Sequence, residues 1–194
     1  PYGSLSVSVP GAVDGWFALH GRFGKLPMKD VLAPAIAYGR EGVPIAQMIA
    51  QNWKRNFGLF DDYAPIIEER DNARTTFLID GHTPAEGEVF RNPNLAASYE
   101  ALAASGRDGF YKGSMAKVMD AYFKRIGGGL AYADLAGFAG EWVEPQGVRY
   151  HGYDVFQLPP NSQGFGVLQM LRLLEPYDLR KMGAGTIEAM TTVL

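Results

Sequence analysis

The stretch Met115-Ala-Lys-Val-Met-Asp-Ala-Tyr-Phe-Lys-Arg-Ile126 carries the clearest helical pattern in the chain. Its apolar side chains recur three and four residues apart, so they lie on one face of an α-helix. Gly127-Gly128-Gly129 ends this pattern. In the rest of the chain, glycines and prolines recur between short segments of the same kind, where they mark turns and helix ends. The sequence therefore predicts a mostly helical fold built from short helices and tight turns.

Five further helices are predicted from apolar spacing and from capping residues. A proline at the first position and a glycine after the end mark several of their boundaries. They are Ala12 to Phe23 before Gly24; Pro27 to Gly42, kinked or divided at Pro34; a helix opened by Pro44; a helix capped by Asn92-Pro93 with the stripe Leu95, Tyr99, Leu102; and Tyr132 to Phe138.

Strand signals are few. Leu5, Val7 and Val9 alternate with serines, which predicts a strand, and a short strand is predicted at Thr76–Ile79. Val148–Tyr150 and Tyr153–Leu158 predict a hairpin hinged at His151-Gly152. Strands in this number do not make an independent sheet, so we expect their partners to lie outside these residues.

The C-terminal part begins with a rigid loop, Pro159-Pro160-Asn161-Ser162-Gln163-Gly164. The helix after it is apolar on most sides from Val167 to Leu174, so we expect it to be buried between layers. Ile187, Met190 and Leu194 then recur at helical spacing without a cap or stop. Because the chain also starts at Pro1 without a targeting signal, we expect residues 1–194 to be a partial single domain, an interior slice of a longer protein.

Composition excludes several classes of protein. The 194 residues are 47% hydrophobic, which is enough for a core, and the net charge of −3 argues against binding nucleic acid through bulk positive charge. The absence of cysteine excludes disulfide scaffolds, thiolate zinc sites, iron–sulfur clusters and cysteine nucleophiles. No apolar run approaches the ~20 residues that span a bilayer.

Metal and cofactor motifs are incomplete. The histidines, His20, His82 and His151, are far apart and form no HExxH pair. Gly24-Lys25 lacks the first glycine and the Ser or Thr of a P-loop, and Gly164-x-Gly166 lacks the third glycine of a dinucleotide fingerprint. Gly127 to Gly129 fits a helix cap better than a phosphate cradle. No cofactor-binding or metal-binding residue is predicted.

Candidate catalytic side chains also have simpler interpretations. The carboxylate pairs Asp61-Asp62 and Glu68-Glu69 could suggest glycoside hydrolysis, but adjacent identical charges are typical of a solvated surface. Ser162 lacks the first glycine of the G-x-S-x-G nucleophile elbow. Thr75-Thr76 and Thr191-Thr192 have no N-terminal amine to serve as their base. The residues alone therefore predict no catalytic residue.

The order of segments, however, resembles the γ-glutamyltranspeptidase family, specifically the later part of its large subunit. The resemblance runs from Ser6 to Leu179. The matching segments are Ser6–Gly11 with Gly15-Trp16; Gly24–Pro27; Leu32–Ile36 with Glu41-Gly42; Gly87-Glu88; Phe90–Pro93 with Leu95-Ala96; Gly106–Asp108; Phe110–Gly113; Asp134-Leu135; Tyr150 with Gly152-Tyr153; Leu158–Pro160 through Gly164; and Leu171–Leu174 with Tyr177–Leu179.

This resemblance implies an α+β fold, the αββα sandwich of the N-terminal nucleophile (Ntn) hydrolases, of which these residues form mostly the helical part. It also implies a precursor that cuts itself into two subunits and transfers γ-glutamyl groups without metal or organic cofactor. The family's substrate-binding arginine lies before the segment Ser6–Gly11, and its nucleophilic threonine, in a Thr-Thr-His context, lies beyond Leu194. We therefore expect the partners to be the remainder of the precursor and a γ-glutamyl substrate, and no catalytic residue is carried over.

One segment departs from the family pattern Pro-Pro-Pro-Ser-Ser-Gly-Gly, since Leu158, Asn161 and Gln163 replace a proline, a serine and a glycine. Three hypotheses follow: a γ-glutamyl transferase or hydrolase, an acylase-like Ntn hydrolase of a non-glutamyl amide, or a helical interaction module without catalysis. The resemblance also implies export to the periplasm or out of the cell.

Overall fold

The computed structural model describes residues 3–193, which are mostly helical, as the sequence predicts. Contacts divide the chain into two units, Pro1–Gly140 and Glu141–Leu194. Whether both belong to one partial domain of a longer protein stays a prediction. No helix among the described residues is both long enough and apolar enough to cross a bilayer.

The first unit holds seven of the α-helices found among residues 3–193 and two very short strands. In chain order the elements are α1 (Ala12–Phe23), α2 (Met28–Glu41), β1 (Val43–Pro44), α3 (Gln47–Asp62), α4 (Arg70–Phe77), β2 (Val89–Phe90), α5 (Pro93–Tyr111), α6 (Ser114–Ile126) and α7 (Tyr132–Gly137). The two strands pair antiparallel.

Local capping explains most helix boundaries, and those predictions are confirmed. Gly24 follows α1 and donates its N–H to the carbonyl of His20 at 2.7 Å. The Asn92 side-chain oxygen accepts the Leu95 N–H at 2.9 Å, which caps α5. Gly127 ends α6 in the left-handed conformation with φ 73°. Pro34 does not divide α2.

Three local predictions are wrong. Residues 5–9 form no strand, because no neighbouring strand among residues 3–193 pairs with them; Ser4–Ser6 is instead a 3-10 turn. Pro44 lies in β1 rather than opening a helix, since Ile45 exchanges backbone hydrogen bonds with the 87–88 segment. The strand predicted at Thr76–Ile79 is split between the end of α4 and a single bridge from Ile79 to His82.

The core of the first unit lies where α1, α5, α6 and α7 meet. Its buried side chains come from each of these helices and from the loop before α7: Val13, Leu102, Tyr111, Ala116, Leu130 and Leu135. Partly buried Phe17, Tyr99 and Phe138 pack around them. This core fixes the N-terminus of α1 against the end of α5, where the main polar network of this unit is found.

The second unit contains a hairpin and three helices: β3 (Gln146–Tyr150), β4 (Tyr153–Gln157), α8 (Gly164–Leu174), α9 (Leu179–Met182) and α10 (Ile187–Val193). The predicted hairpin is confirmed, with Tyr150 opposite Tyr153. Its two turn residues, His151 and Gly152, both have positive φ, as a type I′ hairpin turn requires. The predicted helix at residues 187–194 is confirmed over Ile187–Val193, and Leu194 lies outside the described residues.

The prediction that the helix after the proline loop is buried is wrong for this chain. Leu168 is the buried side chain of α8. Met170 and Leu173 are exposed, because the hairpin of the described residues covers only one side of the helix.

Helices α2 and α5 approach closely at Gly39 and Ala96. A β-carbon at Gly39 would lie 3.0 Å from the Ala96 β-carbon and 3.2 Å from the Asn92 carbonyl oxygen. Ala96 is fully buried, and the Asn92 N–H also donates to the Gly39 carbonyl at 2.9 Å. Neither neighbour is a flexible side chain that could move away.

We therefore expect Gly39→Ala to lower the free energy of unfolding. Overpacking costs about 1–3 kcal/mol, which exceeds the ~1 kcal/mol that alanine gains over glycine inside a helix. Gly58→Ala in α3 is the matched control, because a β-carbon there meets nothing within 4 Å, and it should stabilise by about 0.5–1 kcal/mol. Urea unfolding of both variants measures the difference, and equal stabilisation by both would contradict the close contact.

Candidate functional site

A polar network at the N-terminus of α1 joins Asp14, Arg107 and Tyr111. Asp14 is buried in the first turn of α1, where the helix dipole favours a negative charge. The Arg107 Nε donates a hydrogen bond to one carboxylate oxygen of Asp14. The Gly140 N–H donates to the other at 2.9 Å. The carboxylate is therefore satisfied on both oxygens.

The Tyr111 hydroxyl completes this network. It donates to the Pro10 carbonyl at 2.6 Å and accepts the Asp14 backbone N–H at 3.1 Å. The Tyr111 ring stacks on Phe138 with centroids 5.4 Å apart, and the Arg107 guanidinium carbon lies 4.6 Å from the centre of the Tyr111 ring. Arg107 also donates to the Phe138 carbonyl at 2.6 Å. Segments around residues 10–14, 107–111 and 138–140 are thus held together.

A break in α5 brings Arg107 and Tyr111 to this place. Gly106 has φ 68° and ψ −167°, a conformation that only glycine adopts without strain. The last turn of α5 therefore takes a different direction from the long segment before it. Gly106 and Arg107 belong to one of the segments that carry the family resemblance, and Pro10 belongs to another.

The charges in this network are fixed. The hydrogen bond from Arg107 lowers the pKa of Asp14 against the opposing effect of burial, and Asp14 in turn raises the pKa of Arg107. Burial raises the pKa of the Tyr111 hydroxyl. At neutral pH Asp14 is therefore ionised, Arg107 is protonated and Tyr111 is neutral. Because both carboxylate oxygens of Asp14 already accept hydrogen bonds, the network suits a clamp that holds the chain in position.

The predicted surface pair Glu68-Glu69 makes specific contacts that the prediction missed. The Glu68 carboxylate accepts hydrogen bonds from the Ser4 N–H at 3.0 Å and from the Ser4 hydroxyl at 2.9 Å. Glu69 forms an ion pair with Arg125 of α6 and accepts from the Asn72 amide at 2.7 Å. A hydrogen bond from its own backbone N–H, followed by the Ser4 contacts, lowers the pKa of Glu68. Glu68 and Glu69 therefore attach Ser4 and helix α6 to the turn that precedes α4.

The other acidic and histidine candidates are dispersed. Asp61 pairs with Arg74 at 2.6 Å, which leaves no carboxylate pair arranged for hydrolysis there. His20 Nε2 lies 2.7 Å from the Leu26 carbonyl, whereas His82 Nε2 lies 3.1 Å from the Glu88 carboxylate. His151 packs its ring against Tyr150. Residues 3–193 contain no group of three or more side chains able to hold a metal ion.

The candidate hydroxyl groups bond mainly to backbone carbonyls. Ser162 donates to the Leu158 carbonyl at 2.8 Å and accepts the Gly164 N–H at 3.3 Å, so it supports the turn into α8. Thr76, Thr191 and Thr192 each donate to the carbonyl four residues earlier in their helix. These contacts agree with the structural interpretation of these residues. Gly24 and Gly127, which belong to two of the three weak phosphate motifs, likewise cap helices.

An apolar surface flanks the network. A groove of about 520 Å³ lies between α1, α5 and α6, and another of about 560 Å³ lies between α1 and α2. Both grooves include Trp16 and Tyr99, whose rings meet edge to face with centroids 6.2 Å apart. Few side chains along these two grooves could take part in a reaction, so the grooves suit packing against another apolar surface.

Sequence reasoning did not single out the main network. Arg107 and Tyr111 lie in segments that carry the family resemblance, whereas Asp14 lies in none of them. Its signal is a lone acidic residue in an apolar first turn, and its partner lies 93 positions away. Nothing in local spacing connects the two.

Comparison with known proteins gives a consistent result. The family model described as Gamma-glutamyltranspeptidase matches residues 1–194. The glutathione hydrolase-like YwrD proenzyme of Bacillus subtilis (strain 168) is 33% identical over 183 residues, which are 94% of this chain and 34% of that protein. The acylase ACY 1 proenzyme of Pseudomonas sp. (strain SE83) is 34% identical over 189 residues, 96% of this chain and 32% of that protein.

A solved structure agrees with these relatives. The crystal structure of Helicobacter pylori gamma-glutamyltranspeptidase superposes with a TM-score of 0.86 at 26% identity, covering 98% of this chain and 53% of that one. The chain spans about a third of the length of the curated relatives it matches.

The buried ion pair predicts an asymmetry between two arginines. Arg107→Met leaves the Asp14 carboxylate buried without its cation, which should cost about 3–5 kcal/mol of unfolding free energy. Arg40→Met removes an exposed pair with Glu100, whose atoms are 2.6 Å apart, and should cost about 0–1 kcal/mol. Urea unfolding compares the two variants, and losses of equal size would contradict a buried clamp.

The lowered pKa of Asp14 also predicts a pH dependence. Its ionised form stabilises the fold fully above the unfolded pKa of about 3.9, and this contribution is lost as the pH falls toward the lower folded pKa. The stability difference between the wild type and Asp14→Asn should therefore be constant from pH 7 to about pH 5. Below about pH 4 it should shrink, by at most about 1.4 kcal/mol per pH unit. Unfolding curves recorded from pH 7 to pH 3 measure it, and a constant difference throughout would exclude this role.

Proposed function

The chain belongs to the gamma-glutamyltranspeptidase family, and from this premise we propose that it is part of an enzyme that cleaves γ-glutamyl amides such as glutathione. The enzyme would pass the γ-glutamyl group to water, an amino acid or a peptide. The observation that carries the proposal is the family match over residues 1–194, supported by a relative named as a glutathione hydrolase-like proenzyme.

The fold agrees with this assignment. The prediction of an Ntn-hydrolase fold, with these residues forming mostly its helical part, is confirmed by the similarity to the Helicobacter pylori structure. The family consists of enzymes, which makes a non-catalytic interaction module the least supported of the three hypotheses.

The proposed reaction is an acyl transfer. A threonine that self-cleavage places at a new N-terminus attacks the γ-carbonyl carbon, and its own α-amine takes the hydroxyl proton. Backbone amides stabilise the oxyanion, the amine leaves, and water or an acceptor amine then releases the γ-glutamyl group from the ester. The threonine would come from outside this chain. In this proposal residues 1–194 supply structure around that site, and the Asp14 clamp is part of that structure.

The proposed partner of the chain is the remainder of the same precursor. The chain's share of its relatives' length, about a third, supports this, and those relatives are themselves named as proenzymes. Export to the periplasm or out of the cell is proposed from the family resemblance alone.

A second candidate function is hydrolysis of a non-glutamyl amide. It is favoured by the acylase relative, which is 34% identical, and by the altered loop with Leu158, Asn161 and Gln163.

The leading proposal predicts where activity resides. The whole protein that carries this chain should hydrolyse a chromogenic γ-glutamyl anilide, and residues 1–194 alone should not. The control is the whole protein with the threonine of its Thr-Thr-His segment changed to alanine, which should be uncut and inactive. Turnover by residues 1–194 alone would overturn the proposed division of roles.

The two candidate substrates are separated by specificity constants. We expect kcat/KM of the whole protein to be highest for γ-glutamyl anilide within a panel that includes glutaryl and aromatic acyl anilides. A higher value for an acyl donor without the α-amino acid group would favour the acylase. The double variant Asn161→Ser, Gln163→Gly restores the family residues, and under the acylase hypothesis it should move preference toward the γ-glutamyl donor.

A further inference from the structure

The two units of the chain differ in how much apolar surface they bury. The first unit has its own core around Leu102, Tyr111 and Leu135. Within residues 141–193, Leu168 is the single apolar side chain that the structure buries, with 5% of its surface exposed. The second unit therefore has almost no interior of its own.

The missing interior corresponds to an exposed apolar stripe on α8. Val167, Met170 and Leu173 follow one another at three-residue spacing, and Leu173 is 73% exposed. With 3.6 residues per turn, this stripe lies roughly opposite Leu168, which is on the side that packs against the hairpin. Phe156 on the hairpin and Leu158 just after it are exposed as well.

Energetics make such a unit unstable by itself. A two-stranded hairpin is marginal in water, and helices of this length need tertiary packing to persist. Ordering the backbone of each residue opposes folding, and the burial of a single leucine, with only partial burial of its neighbours, offsets little of that entropy cost. The fold of residues 141–194 therefore requires further apolar contact.

We propose that residues 141–194 are an assembly segment, which reaches its stable fold when the part of the precursor outside this chain covers the α8 stripe. Residues 1–140 hold their fold through their own core. This inference rests on the proposed function, because it takes the remainder of a family precursor as the partner. The partner surface must be apolar, since Val167, Met170 and Leu173 carry no charge. The relatives, about three times the length of this chain, provide enough polypeptide to form it.

Hydrogen exchange measured by mass spectrometry tests the proposal on residues 1–194 and on the whole protein. Core helices of residues 1–140 should be protected in both. Amides of α8 and the hairpin should exchange at least about 100-fold more slowly in the whole protein than in residues 1–194. Equal protection in both would overturn the proposal. Protection in residues 1–194 that rises with concentration would assign the stripe to a second copy and would also overturn it.

A matched pair of variants tests the stripe within the whole protein. Leu173→Glu places a charge on the stripe and should return α8 and the hairpin to fast exchange. Arg172→Glu places a glutamate in the same last turn of α8, but at a position that lines a groove with Gln146. Both variants therefore carry the same unfavourable interaction of a negative charge with the helix dipole. Arg172→Glu should leave exchange unchanged. Equal effects of the two variants would contradict the proposal.

These measurements do not depend on the substrate. Failure of the whole protein to cleave γ-glutamyl amides, with the exchange pattern present, would overturn the proposed function and leave the assembly segment in place. Cleavage of γ-glutamyl amides without the expected exchange pattern would overturn the assembly segment and leave the proposed function in place.

Discussion

A buried carboxylate needs a cation and enough donors, and Asp14 obtains these from Arg107 and Gly140. Because its partners come from α5 and from the segment after α7, satisfying Asp14 fixes three parts of the first unit at once. Tyr111 adds a bond to Pro10, just before α1, so the approach of the chain to that helix is set as well. The apolar core around Leu135 packs directly against elements held in this way.

Local rules account for the parts of the fold that the sequence predicts well. The ends of α1, α5 and α6 are set by Gly24, Asn92 and Gly127, whose effects reach only a few residues. The wrong predictions concern segments whose structure depends on a packing partner that the local sequence does not reveal. Alternation at residues 5–9 indicates one apolar face, but no strand among the described residues pairs with that segment. Helix α8 likewise has more apolar surface than the described residues cover.

The same distinction holds for the candidate site. The residues alone predict neither a metal centre nor a catalytic group, and the candidate hydroxyls are found bonded to the backbone. The Asp14 clamp could not be predicted, because an ion pair between positions 93 residues apart leaves no periodicity or spacing. The family segments nevertheless contain Pro10, Gly106 and Tyr111, so a pattern recognised as a whole includes residues whose contacts become visible only in three dimensions.

The ion pairs of the first unit fall into two groups with different sensitivity to salt. Arg40–Glu100 and Arg74–Asp61 face the solvent, where the screening length shrinks from about 8 Å at 0.15 M to about 3 Å at 1 M. The Asp14 and Arg107 side chains are only 10% and 24% exposed, so their ion pair is screened much less. In concentrated salt, the attachment of α1 to the end of α5 is therefore weakened less than these two exposed pairs.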